Sequence, residues 1–230
     1  MLAEDVLGGA FAVPRTSPSY PMGPYSYVDR EYRTIAYRGD PEALRLPEAR
    51  FQFFRMPDST GFGEHAVAAQ LIPVWLPGGE AGGSVHATYM NTHTANSGGR
   101  ELRGFPQKLA RPSLAVTQLG TLDFGPAPLA RGSMGFRHRT VPGAEALAAS
   151  GILLKTIPHA DGRPRIRELV RFRLPDIALK GGWTGPAALE LAPHALAPVA
   201  DLPVREVPSA THLVAALTLE LGEVVHDQLG

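Results

Sequence analysis

Glycine and proline recur at such short intervals that few stretches of this chain can complete a long helix. There are 25 glycines and 22 prolines in 230 residues. Glycine costs a helix backbone entropy, and proline removes an N–H and clashes with the preceding turn. Between these breaks lie segments that mix apolar and β-branched residues in a period-2 pattern, as half-buried antiparallel strands do. Strands are expected over 32–38, 50–56, 66–76, 84–91, 113–124, 130–139, 151–157, 165–179, 187–192 and 211–219. Helix is expected only in short pieces. One is 40–45, where Asp40 precedes Pro41 at the first helical position; the others are 143–150 and 223–229. Residues 1–25 read as a largely irregular arm. No composition shift or internal repeat divides the rest, so residues 1–230 are expected to form a single mainly β domain, barrel-like or built of two packed curved sheets.

Composition narrows the function classes. Hydrophobic residues make up 44% of the chain, enough for a substantial core. With no cysteine, thiolate catalysis, thiolate metal sites and disulfides are excluded. The formal net charge is +0 and no polybasic block occurs, so no nucleic-acid partner is expected. Arg165, Arg167, Arg171 and Arg173 fall on one face of a strand, and a solvated face is the simpler reading of them. No apolar run reaches a membrane-spanning length. The start, Met1-Leu2-Ala3-Glu4-Asp5, is acidic where a secretory signal is basic, and a cytoplasmic location is expected. The eight histidines show no His-Glu-x-x-His or His-x-His spacing, and Gly78–Gly83 lacks a phosphate-loop lysine. No metal and no cofactor are expected.

Lysine is nearly absent. Nineteen of the 22 basic residues are arginine, leaving Lys108, Lys155 and Lys180. Lys108 stands in the densest stretch of the chain, 96–112, with Arg100, Glu101, Arg103, Gln107 and Arg111 nearby. An amine partly buried beside positive charge has a lowered pKa and can attack a carbonyl. A strand-end lysine reaching solvent on its long stem accounts for the same residues without chemistry.

Along most of its length the chain resembles the acetoacetate decarboxylase family. The resemblance is carried by Thr16-Ser17-Pro18, Pro21, Gly23-Pro24-Tyr25, Arg30-Glu31-Tyr32 and Tyr37-Arg38. It continues through Gln70, Ile72-Pro73-Val74, Gly99-Arg100-Glu101-Leu102, Pro106, Lys108-Leu109 and Pro112. Later come Gly120-Thr121-Leu122-Asp123, Met134-Gly135, Ile157-Pro158, Asp161-Gly162 and Pro164-Arg165-Ile166. Trp183-Thr184-Gly185-Pro186, Ala197-Pro198, Asp201-Leu202-Pro203-Val204 and His212 complete it. The resemblance implies antiparallel strands in a cone-like barrel around an interior pocket, a homo-oligomer, and cofactor-free chemistry on a β-keto acid. In that chemistry a lysine condenses with the ketone, and the iminium accepts the electrons released as carbon dioxide leaves.

Three positions depart from the family pattern. Gln107 stands where the resemblance puts the imine-forming lysine, the first of two adjacent lysines, and a primary amide forms no imine. Val67 stands where the family has a pocket glutamate, and Gln52 where it has another pocket carboxylate. Arg30 matches the family's arginine at the substrate end. Arg30, Gln52, Val67 and Gln107 are therefore expected around one cavity, with Arg100 and Glu101 behind or beside it as further substrate-binding residues. The leading expectation is a lyase acting on a small keto acid, with Lys108 as nucleophile, Arg30 as carboxylate anchor and Gln107 beside them. The alternatives are an imine-free enzyme in which Gln107, Arg30 and Glu101 polarise a keto or enol substrate, or a binding protein without catalysis.

Overall fold

The structure is a computed structural model describing residues 11–14, 17–39, 48–76, 79, 81–117, 119–135, 139–141, 147 and 149–230. The expected helix at 40–45 and most of that at 143–150 lie outside the described residues.

Alternating residues run through most strands, and adjacency in sequence becomes adjacency in the sheet. Three long strands, β1 (Tyr25–Arg38), β2 (Ala49–Met56) and β4 (His65–Trp75), form its antiparallel centre, with the two-residue β3 (Asp58–Ser59) beside β1. Strand β5 (Ala81–Met90) pairs with β4 and leads into a short helix, α1 (His93–Gly98), capped by the Thr92 hydroxyl. A π-helical turn, Gly99–Arg103, continues α1 and ends at Gly104, whose φ of 82° suits glycine. The chain then returns as β6 (Gln107–Leu109), parallel to β5.

Strands β7 (Arg111–Leu114), β8 (Leu119–Phe124), β9 (Ala127–Met134) and β14 (Ala187–Leu191) make a separate four-stranded sheet. The long sheet is completed by β10 (Arg139–Thr140), β11 (Ser150–Pro158), β12 (Pro164–Arg173), β13 (Ala178–Gly185), β15 (Glu206–Leu219) and β16 (Glu223–Asp227). Its order is β10-β13-β15-β1-β2-β4-β5-β11-β12-β16.

The mainly β expectation stands, but the expected cone-like barrel does not. Neither sheet closes or curls strongly. Closure needs both edge strands to pair. Here one edge, β10, has two residues, and the other, β16, is short and mostly exposed. Nor is the sheet wholly antiparallel, because β5 pairs in parallel with both β6 and β11. The crossover through α1 and the π-turn is the kind of connection a parallel pair requires.

Local turn chemistry also overrode the pattern. The expected strand 113–124 is the hairpin β7–β8, 165–179 is broken between β12 and β13, and 223–229 contains a strand rather than a helix.

The long sheet is buried on both faces. One face packs Ile35, Tyr37, Phe51, Phe53, Ala68 and Tyr89 against Leu122, Leu129 and Met134 of the small sheet. The other carries Tyr25, Tyr27, Tyr32, Phe54, Met56, Val67, Ala69 and Met90, with Leu213 to Leu219 of β15 alongside.

Candidate active site

That second face encloses a cavity of about 120 Å³. Strand alternation supplies most of its wall: Gln52, Phe54 and Met56 from β2, then His65, Val67, Ala69 and Leu71 from β4. A bulge supplies the charge. Tyr27 pairs with Leu217 but Arg30 with Ala215, so β1 carries one extra residue, and Asp29 takes a positive φ of 54°. Without that insertion Asp29 would share the face of Tyr25 and Tyr27. With it, Arg30 and Tyr32 do.

The Arg30 guanidinium lies 5.0 Å from the Tyr27 ring centre and 4.7 Å from those of Tyr32 and Phe54. Cation–π attraction of this kind holds a guanidinium without neutralising it.

Alternation also decides Lys108. Gln107 is buried and lines the cavity, whereas Lys108 points the other way and donates from Nζ to the Leu196 carbonyl (2.6 Å). The expectation that Lys108 serves as a cavity nucleophile is corrected on this point. Arg100 and Glu101, expected at the substrate, do not line the cavity either. Arg100 donates to the backbone carbonyl of Gln107 (2.9 Å), and Glu101 accepts from the Tyr20 hydroxyl (2.8 Å). Arg100 thus braces Gln107 from outside. Of the other lysines, Lys180 is paired with Asp29 on the surface and Lys155 lies on β11. No lysine lines the cavity.

The end of the Gln107 amide faces the carbonyls of Ala95 and Asn96 in α1, so the amide is assigned with its nitrogen on that side, donating to Ala95 (3.1 Å) and Asn96 (3.0 Å). Its side chain lies against Gly99, where a Cβ would come within 2.2 Å of the amide end. Gln52 donates to the Thr34 hydroxyl (2.9 Å), and Val67 occupies the wall as an apolar residue.

Two residues join this set that the sequence pattern did not single out for it. Arg103, at the end of the π-turn, is 1% exposed, lies 4.9 Å from the Tyr25 ring centre and donates from Nε to the Glu220 carbonyl (2.8 Å). The wide π-turn aims it inward, a placement that residue spacing in an assumed α-helix does not disclose. His65 is 3% exposed, with Nδ1 3.2 Å from the Gly63 carbonyl and 3.4 Å from the Ser59 hydroxyl.

The lining contains no aspartate or glutamate among the described residues. Arg30 Nε, Tyr32 Oη, Thr88 Oγ1 and Arg103 Nη2 are buried there without a hydrogen-bond partner. Such groups are costly unless something completes them. Burial pushes the Tyr32 hydroxyl up to about 12, against the pull of Arg30, and lowers the Arg103 guanidinium. His65 is held below its usual value by burial, opposed by the Gly63 carbonyl and assisted by the Arg30 charge. The site is a cationic cavity with neutral donors and acceptors, suited to a small anion.

The acetoacetate decarboxylase family profile matches residues 10–229. The chain belongs to the acetoacetate decarboxylase family. An acetoacetate decarboxylase of Paraburkholderia xenovorans is 55% identical over 246 residues, spanning 100% of this chain and 97% of that protein. A solved acetoacetate decarboxylase superposes with a TM-score of 0.93 at 37% identity, covering 100% of both chains. That of Legionella pneumophila gives 0.91 at 39% identity, covering 100% of this chain and 98% of its own. These relatives supply the fold and the lyase class. No described helix is long and apolar enough to cross a membrane.

Proposed function

We propose that this chain is a lyase-type enzyme that activates a small keto acid without a lysine imine. The observation that carries the reading is that none of its three lysines lines the cavity. Gln107 stands at the position that the family resemblance assigns to the imine-forming lysine, and an amide cannot replace an amine there.

The cavity has other means of accepting charge. Arg30 binds the substrate carboxylate through charge-assisted hydrogen bonds. Electrons released by carbon–carbon cleavage pass to the adjacent carbonyl oxygen, and donors fixed in a dry site stabilise the resulting enolate. The Tyr32 and Thr88 hydroxyls and the guanidinium groups are the donors at hand. With its nitrogen committed to α1, Gln107 presents its amide oxygen as an acceptor for an enol or hydroxyl proton. His65, kept neutral by its surroundings, accepts or returns that proton. Val67 and Gln52 contribute shape and a neutral wall in place of carboxylates. The homo-oligomer implied by the family resemblance is part of the same proposal, checked by light scattering.

Borohydride reduction with a panel of β-keto acids, followed by peptide mass mapping, tests the mechanism. No adduct is expected on any lysine, and Lys108→Ala should keep turnover within about twofold. Gln107→Lys, which puts an amine into the cavity, should become trappable. A borohydride adduct on Lys108 in the unaltered protein would overturn the proposal.

A further inference from the structure

The cavity holds two guanidinium groups and, among the described residues, no carboxylate to balance either. Arg103 is 1% exposed and is held by the Glu220 carbonyl and by Tyr25, both uncharged partners, while Arg30 is held by three aromatic rings. Neither forms an ion pair among the described residues. An uncompensated charge in an apolar wall is expensive, and two in one small cavity also repel each other. A ligand carrying a single carboxylate relieves one of them and leaves the second unmatched.

Their spacing is set by β1. Arg103 lies over Tyr25 and Arg30 over Tyr27. These tyrosines are two residues apart on one strand face, before the bulge, so their Cα atoms are about 6.6 Å apart. Both guanidiniums also act on the Tyr27 hydroxyl, whose pKa burial raises and both charges oppose. The two cations therefore face one volume from neighbouring positions.

Resting on the reading of the cavity as a keto-acid site, we propose that its substrate is a short-chain keto dicarboxylate, with one carboxylate on Arg30 and the second on Arg103. The cavity volume of about 120 Å³ limits the skeleton. An apolar cavity of roughly 150 Å³ holds a benzene ring, so a backbone of about four or five carbons is the appropriate scale. Decarboxylation then removes the carboxylate β to the ketone. Its C–C bond electrons pass to the ketone oxygen as enolate as carbon dioxide leaves, and a proton taken up from solvent adds at the carbon that lost the carboxylate to complete the ketone. The other carboxylate stays on its arginine and anchors the product.

Calorimetric titration of the full chain with non-reacting probes tests this. Glutarate and succinate present two separated carboxylates, butyrate presents one, and inorganic phosphate presents a compact dianion. A charge-assisted pair is worth about ten- to hundredfold in affinity. The better of the two diacids should exceed butyrate by about that factor and exceed phosphate clearly. Arg103→Met should remove the diacid preference and leave butyrate binding in place. Because a buried arginine can be needed for folding, Arg103→Lys is the second variant. It keeps the charge, loses the planar fork, and should retain part of the preference.

Equal affinity for butyrate and the diacids would overturn the dicarboxylate assignment while leaving a monocarboxylate keto-acid site intact. Phosphate binding as tightly as glutarate would overturn it in favour of charge attraction alone. Binding of none of the probes would overturn both the assignment and the keto-acid reading beneath it.

Discussion

The two faces of the long sheet are made by the same strands, yet one is filled and the other is kept open. On the filled face, Phe51 and Phe53 of β2 interlock with the small sheet, and hydrocarbon and ring atoms do nearly all the packing. On the open face, the intervening residues Gln52 and Phe54 border a cavity with two cations that have no carboxylate among the described residues of its wall, and with several unpartnered polar atoms. Close packing on the first face supplies the stability that lets the second retain groups that do not stabilise the fold. A single strand therefore carries structural and functional demands at alternate positions.

The comparison is broken most severely at Phe53, which is fully buried. Phe53→Ala should lower unfolding free energy by about 3–5 kcal/mol. A denaturant midpoint shifted at constant slope is the expected readout. Any of the protein that remains folded should bind carboxylate probes normally. Loss of binding at full folding would show that the faces are not independent.

Gly132 probes the same face from the small sheet. A Cβ there would approach Ile35 and Phe53 to 2.6 Å, so Gly132→Ala should overpack the core by about 1–3 kcal/mol. Gly99→Ala is its counterpart on the open face. The atoms nearest the new methyl all belong to the movable end of Gln107, so stability should fall by less than about 1 kcal/mol while turnover or ligand affinity changes more. Similar effects of both changes on both properties would refute the contrast.

Acid should resolve the faces by pH, with smaller effects. His65 belongs to the cavity face, and its folded pKa lies below the usual 6.5. The unfolded chain therefore binds the extra proton first as pH falls, and stability is lost between 6.5 and the depressed value. His65→Gln should flatten the unfolding free energy in that window. Glu31 faces the other way and meets His212 Nε2 at 2.7 Å. That hydrogen bond, against the opposing effect of burial, holds its carboxyl below the usual 4.5. The Glu31 contribution is present above 4.5 and is lost as pH falls through its depressed value. Glu31→Gln should therefore flatten only the lower window, as measured by denaturant titration across pH.

Much of the strand content was legible because alternation is a local property, and β2 follows it closely. The family pattern pointed to Arg30, Gln52, Val67 and Gln107, residues that the fold brings onto one cavity. What local pattern did not disclose was geometry set by exceptions. The β1 bulge turns Arg30 inward, and the π-turn turns Arg103 inward. His65 carries no motif spacing, and its position at the start of β4 together with the Gly63 carbonyl places it in the wall. The barrel failed for a different reason, since whether edge strands meet depends on the path of the whole sheet.

By itself the sequence determined the β character through its punctuation and alternation, and it determined that only three lysines exist to supply a side-chain amine. Strand geometry then says that Gln107 and Lys108 must point apart, but not which of them points inward. The tertiary structure decided that. The parallel pairing of β6 with β5 turns Gln107 toward α1 and the cavity and leaves Lys108 outside, at the Leu196 carbonyl. A residue's side along a strand is a local choice between two, and the choice acquires chemical meaning only when the rest of the fold makes one side an interior.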